Sequence, residues 1–176
     1  MASYKEIVTK AVIGKGKKTF ISNHSIRPSV DANTVLGCWV INHNFFGTKV
    51  GDSIKIEGRY DVNIWYSSNS DTKTEVVNQT NTYFEIVKIN RRNEFDSTSE
   101  EIIVRSLSQP NCVKAEIIDG MINYTIEKEL GIEIVGDTKV KIAIDEDEEP
   151  WDEIYSVDEE VEEDIEKEVI INNFNE

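Results

Sequence analysis

The sequence predicts an all-β protein, an antiparallel β-sandwich or open barrel over residues 1–144, followed by an acidic, partly helical or disordered tail over residues 145–176. Three observations carry this reading. The run IKIEGRYDVNIWY alternates strictly, with Ile54, Ile56, Tyr60, Val62, Ile64 and Tyr66 on one face and Lys55, Glu57, Arg59, Asp61, Asn63 and Trp65 on the other. Successive side chains of a strand point to opposite faces, so a period of two marks a half-buried strand and not a helix. The same period returns at Ile122, Tyr124 and Ile126, at Leu130, Ile132 and Ile134, and at Val140, Ile142 and Ile144, without helical stretches between. Charge then divides the chain: residues 1–144 hold 18 acidic and 18 basic side chains, whereas residues 145–176 hold 16 acidic ones against the single Lys167.

Taken in order, the start MASYKEIVTK has no apolar stretch behind a basic one, so no secretion signal is expected, and folding inside a cell follows. GKGKK at residues 14–18 lacks the third glycine of a dinucleotide loop and the spacing of a P-loop, and no helix follows to offer its N-terminus. It reads as a hairpin turn with solvated lysines. GCWVIN puts Cys38, Val40 and Asn42 on one face and Trp39 and Ile41 on the other, the pattern of a strand apolar on both faces. Gly58, on the apolar face of the long alternating run, reads as a bulge or bend. TEVVNQTNTYFEIVKI and EIIVRSLSQ are rich in the β-branched and aromatic residues that suit a pleated surface. Turns are expected at Gly14, Lys15 and Gly16, at Asn69, Ser70 and Asp71, at Pro110 and Asn111, at Asp119 and Gly120, and at Gly136 and Asp137.

After residue 144 the character changes. Ser156 followed by Glu159 is a capping-box signature, and Val157, Val161, Ile165 and Val169 recur every four residues as a narrow apolar stripe. Like charges four apart repel, so this helix would form against a partner rather than alone, unless the segment is simply a solvated acidic tail. Trp151, Ile154, Tyr155, Val157 and Val161 are the candidate partner-binding residues, because aromatic and aliphatic side chains in a charged segment are natural anchors for another protein's pocket. The alternative is that they fold back on the β body.

Little points to chemistry. A structural zinc site needs four ligands, usually in close pairs; Cys38 and His43 are separated by four residues, and His24 and Cys112 each stand alone. Cys38 and His43 therefore read as a packed thiol and a strand-end histidine, not as a metal site or a nucleophile and its base. The DEDEE run lacks the spacing and central glycine of a calcium loop. No catalytic residue, cofactor or metal ligand is assigned. Two cysteines 74 residues apart are no disulfide framework, and a reducing compartment keeps them as thiols. The polyanionic end disfavours nucleic acid and anionic membrane and attracts basic proteins. No run reaches the roughly 20 apolar residues of a membrane helix, so no membrane insertion is expected.

Several runs resemble the CotE family, the morphogenetic protein of the bacterial spore's outer coat. They are YKEIVTKAVIGKGKK, WVINH, EGRYDVNIWYS followed by TKTEVV, QPNC at residues 109–112, VGDTKVKI at residues 135–142 and, in kind, DEDEEPWDE. The resemblance implies a non-enzymatic scaffold, made in the mother-cell cytoplasm, that self-associates over the inner, basement layer of the coat and recruits outer-coat proteins. It brings no catalytic residues with it. The partners it implies are the protein itself, an inner-layer coat protein and outer-coat proteins. An acidic-tailed chaperone for basic proteins is the alternative that the charge pattern leaves open.

Overall fold

The computed structural model describes residues 3–91 and 99–144. The chain divides into two compact units, Glu6–Lys141 and a second made of Met1–Lys5 with Ile142–Glu176, of which only strand ends are described. Six strands make up the described chain: β1 (Ser3–Ile26), β2 (Ala32–Val50), β3 (Ser53–Ser68), β4 (Lys73–Val87), β5 (Glu101–Ile118) and β6 (Met121–Ile144). They form two antiparallel three-stranded sheets, ordered β1-β6-β5 and β2-β3-β4. The all-β expectation holds.

The central strand of each sheet is the one with the longest inward apolar row. β3 contributes Ile54, Ile56, Tyr60, Val62, Ile64 and Tyr66, and β6 contributes Ile122, Tyr124, Ile126, Leu130, Ile132 and Ile134, all essentially buried. These rows face each other as two clusters. One gathers Ile13, Phe20, Ile54, Ile56, Leu130, Ile132 and Ile134; the other gathers Tyr60, Val62, Ile64, Tyr66, Ile122, Tyr124 and Ile126.

The turns expected at residues 69–71 and 119–120 are present. Asn69, Ser70 and Asp71 all take positive φ, and the Thr72 amide closes the turn on the Ser68 carbonyl at 3.2 Å. Asp119 and Gly120, also at positive φ, join β5 to β6 as a two-residue hairpin, the twist-matched solution for adjacent antiparallel strands. The remaining turn expectations are corrected. Gly14, Lys15 and Gly16 lie inside β1, Pro110 and Asn111 inside β5, and Gly136 and Asp137 inside β6. GKGKK is thus mid-strand and no hairpin, although its lysines are indeed solvated: Lys15 pairs with Glu133 at 3.3 Å and Lys17 with Glu129 at 3.0 Å across to β6. Pro110 is tolerated because β5 is an edge strand whose register slips between Ser108 and Asn111. The β2–β3 connection uses Gly51, at positive φ, with Asp52.

Gly58 is neither bulge nor bend. It sits in regular pairing with Phe45 and Tyr83, and its missing Cβ is what lets the Tyr83 ring lie against the backbone. The bulge is in β2 instead, where the register shifts between Ile41 and Asn44 and Asn42 takes a φ of 56°.

Between the two apolar clusters runs a polar belt. Lys128 occupies the inward phase of β6 and is 1% exposed, with Nζ 3.9 Å from the Tyr83 ring centroid and 3.7 Å from Glu85. Burial is the main influence on the Lys128 ammonium and pulls its pKa down, against the pull of Glu85. Tyr83 also donates to or accepts from His43 Nε2 at 2.7 Å, Tyr60 meets His24 at 3.0 Å, and Asn81 Nδ2 donates to Tyr124 at 3.0 Å. No buried side-chain polar atom among the described residues lacks a partner. A satisfied belt of this kind specifies how the sheets meet, whereas a desolvated ammonium with one distant carboxylate adds little stability. Lys128→Met, close in volume, is expected to raise stability by about 1–2 kcal/mol in urea titration, because the charge no longer has to be desolvated and partly exposed Glu85 keeps contact with water.

Candidate interaction surface

The side chains that alternate with the core rows of β2, β3 and β4 form the outward face of that sheet. In register, Gly37, Trp65 and Val76 lie side by side, then Trp39, Asn63 and Asn78, then Ile41, Asp61 and Thr80. Farther along come Phe46, Glu57 and Phe84, and then Thr48, Lys55 and Ile86. This corrects the expectation for GCWVIN. Cys38 and Val40 do face inward, but Trp39 is 54% and Ile41 44% exposed, because an antiparallel sheet can leave one face to solvent.

Two apolar ends result. At one, the Trp39 indole lies over Gly37, where a Cβ would enter the ring, and its centroid is 6.5 Å from that of Trp65 in an edge-to-face arrangement. Ile41 and Val76 extend this end. At the other, Phe46, Phe84 and Ile86 stand 58–68% exposed. Between them Asp61 accepts from Thr80 at 2.6 Å and from Asn42 at 2.8 Å, and these bonds hold its carboxyl below the usual carboxylate range. A shallow groove of about 420 Å³ opens beside Phe46, lined also by Asn44, Phe45, Glu57, Gly58, Arg59, Thr82 and Tyr83. Contiguous exposed apolar side chains rimmed by polar ones are the usual mark of a protein-binding face.

The residues that could have carried chemistry are placed otherwise. His43 sits at the β2 bulge, bonded to Tyr83 and 3.4 Å from Gln109, with its ring 4.7 Å from Phe45. His24 stacks on Tyr124 at 5.2 Å on the opposite sheet. Cys38 packs against the second apolar cluster. Four surface grooves among the described residues are lined by neither Cys38 nor His43, and no group of His, Cys, Asp and Glu among the described residues could hold a metal ion. No helix among the described residues is long and apolar enough to cross a membrane.

Trp151, Ile154, Tyr155, Val157 and Val161, the partner-binding candidates, lie outside the described residues, as does the expected helix. The reading of the sequence passed over two groups that the fold makes prominent. Lys128 was legible: the inward phase from Ile122 to Ile134 runs straight through it. The outward apolar ends were not, since Trp39 and Trp65 become one patch only through the β2–β3 register.

The histidines give the protein a pH response. His24 and His43 are both held below the usual histidine value, mainly by burial and further by the Lys128 ammonium, with the Gln109 bond opposing this at His43. A folded value below the unfolded 6.5 means that the unfolded chain binds the proton first. Stability contributed by the neutral rings is therefore complete above 6.5 and lost as pH falls from there toward the folded values. Melting temperature should decline over that window, and a His24→Gln, His43→Gln double variant should flatten the decline.

The family model described as Outer spore coat protein E (CotE) matches residues 3–173. No curated protein and no solved structure matches the chain. A match over nearly the whole length, on a chain whose described part is entirely β, makes this protein a member of the CotE family of outer spore coat proteins.

Proposed function

We propose that the protein is a non-enzymatic morphogenetic scaffold of the outer coat, made in the mother cell, whose β body associates with further copies and with an inner-layer coat protein while residues 145–176 recruit outer-coat proteins. The observation that carries this is the outward face of the β2-β3-β4 sheet, where Trp39, Trp65, Phe46, Phe84 and Ile86 stand exposed on a rigid frame. Such a face supports association, since burying exposed aromatic area is the largest single source of interface energy. The long β1 and β4 strands at the ends of their sheets add further edges at which copies can pair. The near-neutral body and the acidic residues 145–176 support a division of labour, because a charged segment reaches basic clients without the desolvation cost of a packed interface.

The experiment is imaging of a fluorescent fusion in sporulating cells, combined with light scattering of the purified protein. A shell around the forming spore and a concentration-dependent oligomer are expected. Diffuse fluorescence with a monomer at all concentrations would sink the proposal.

A further inference from the structure

Cys38 and Cys112 are 74 residues apart in sequence, and the fold carries them to one place. β2 and β5 are edge strands of opposite sheets that lie alongside each other, and the contacts between them run in opposite directions. Ile102 and Val104 lie against Gly47, and Gln109 lies 3.4 Å from His43. Continuing that antiparallel match brings Cys38 level with Cys112. Within their own sheets Cys38 pairs with inward Ile64 and Cys112 with inward Ile126, so both thiols turn into the sandwich from opposite sides, onto the same apolar cluster. Both side chains are free thiols packed on that cluster, and Cys112 is near enough to Cys38 to disfavour its thiolate.

We propose that Cys38 and Cys112 form an oxidation site that closes into an intramolecular disulfide clipping the two sheets together at the β2–β5 seam. This rests on the position of the two sulfurs and on no reading of function. The oxidant required is a low-molecular-weight disulfide. Burial and the Cys112 contact push the Cys38 thiol well up, so Cys38 is the poor attacker. The Cys112 sulfur, half-buried and 3.3 Å from the Lys114 carbonyl, attacks first. Its S–H proton is lost, the oxidant's S–S bond breaks, and a mixed disulfide and one small thiol result. The Cys38 sulfur then attacks the Cys112 sulfur, loses its proton and expels the second small thiol. In total two S–H bonds and one S–S bond are exchanged for one S–S bond and two small thiols; the protein is oxidised by two electrons and the oxidant reduced. The apolar surroundings shield the finished bond from exchange.

The test uses the full-length reduced protein, incubated folded with oxidised glutathione, then quenched with acid, unfolded, alkylated and weighed. The expected product is a monomer lighter by two hydrogens, with no glutathione attached and a single protease fragment linking Cys38 to Cys112. Its melting temperature should exceed that of the reduced form by about 10 °C, the effect of closing so long a loop, and reduction should abolish the difference. Cys38→Ser and Cys112→Ser should each show no such rise. Stable glutathione adducts, linkage chiefly between chains, or two thiols still open to alkylation would each overturn the proposal. The mapping on the unaltered protein decides even where a serine variant folds poorly.

Discussion

Replacing Trp39 and Trp65 together by serine is expected to dissociate the assembled protein while leaving its fold intact. Both indoles belong to the outward face, both are more than 40% exposed, and neither contributes to the two core clusters. Removing them therefore costs the isolated body little. At an interface, truncating one well-placed tryptophan commonly costs about 2 kcal/mol or more, so the pair should weaken association about a thousandfold. Analytical ultracentrifugation over a range of concentrations reads the effect, with circular dichroism and the melting temperature as controls on folding. Phe84→Ser with Ile86→Ser tests the other apolar end in the same way. If both double variants assemble as the parent does, copies meet at the strand edges of β1 or β4 and the face has another role.

The second large effect is expected at the acidic end. A chain ending at residue 144 should keep the cooperative melting and the oligomeric state of the parent and lose capture of outer-coat proteins. In the full chain, Trp151→Ala combined with Tyr155→Ala should weaken capture by more than tenfold if these aromatic anchors enter pockets on the clients. Neutralising the carboxylates of residues 145–149 should instead remove mainly the salt-dependent part of binding. Binding to immobilised outer-coat proteins and to polylysine, each at low and high salt, separates the readings. Equal capture of both, erased by salt and indifferent to Trp151, would turn the protein into an acidic chaperone for basic proteins. Undiminished capture by the shortened chain would end the division of labour altogether.

The stability experiments at Lys128 and at the two histidines bear on the same design from inside. The belt of Lys128, Tyr83, His43, Tyr60, His24 and Tyr124 interrupts an otherwise apolar sandwich, and its groups come from β1, β2, β3, β4 and β6. It gives the two sheets one way to meet, at some cost in stability and with a sensitivity to acid.

How far the fold could be read from the chain is clearest strand by strand. β3 was legible in the sequence apart from Gly58, because its two faces see opposite environments and the residues alternate accordingly. The hairpins at residues 69–71 and 119–120 were equally plain, since asparagine, aspartate and glycine are the residues that accept positive φ. The glycines of β1 and β6 and Pro110 of β5 misled for one shared reason. A breaker signals a turn only if the strand cannot absorb it, and long strands absorb breakers through bulges, edge positions and close packing of a neighbour's side chain.

By itself, then, the chain determined its class, its clearest strands, its separation of charge and, through the runs around residues 57–67 and 72–77, its family. These are local properties, written in the alternation and identity of neighbouring residues. The tertiary structure alone decided which apolar faces are covered. Trp39 and Trp65 lie on the open side of their sheet, and Cys38 was brought against Cys112, each by the pairing and stacking of strands far apart in sequence. Burial belongs to the assembled sheets, because whether a side chain meets water depends on what is laid over it.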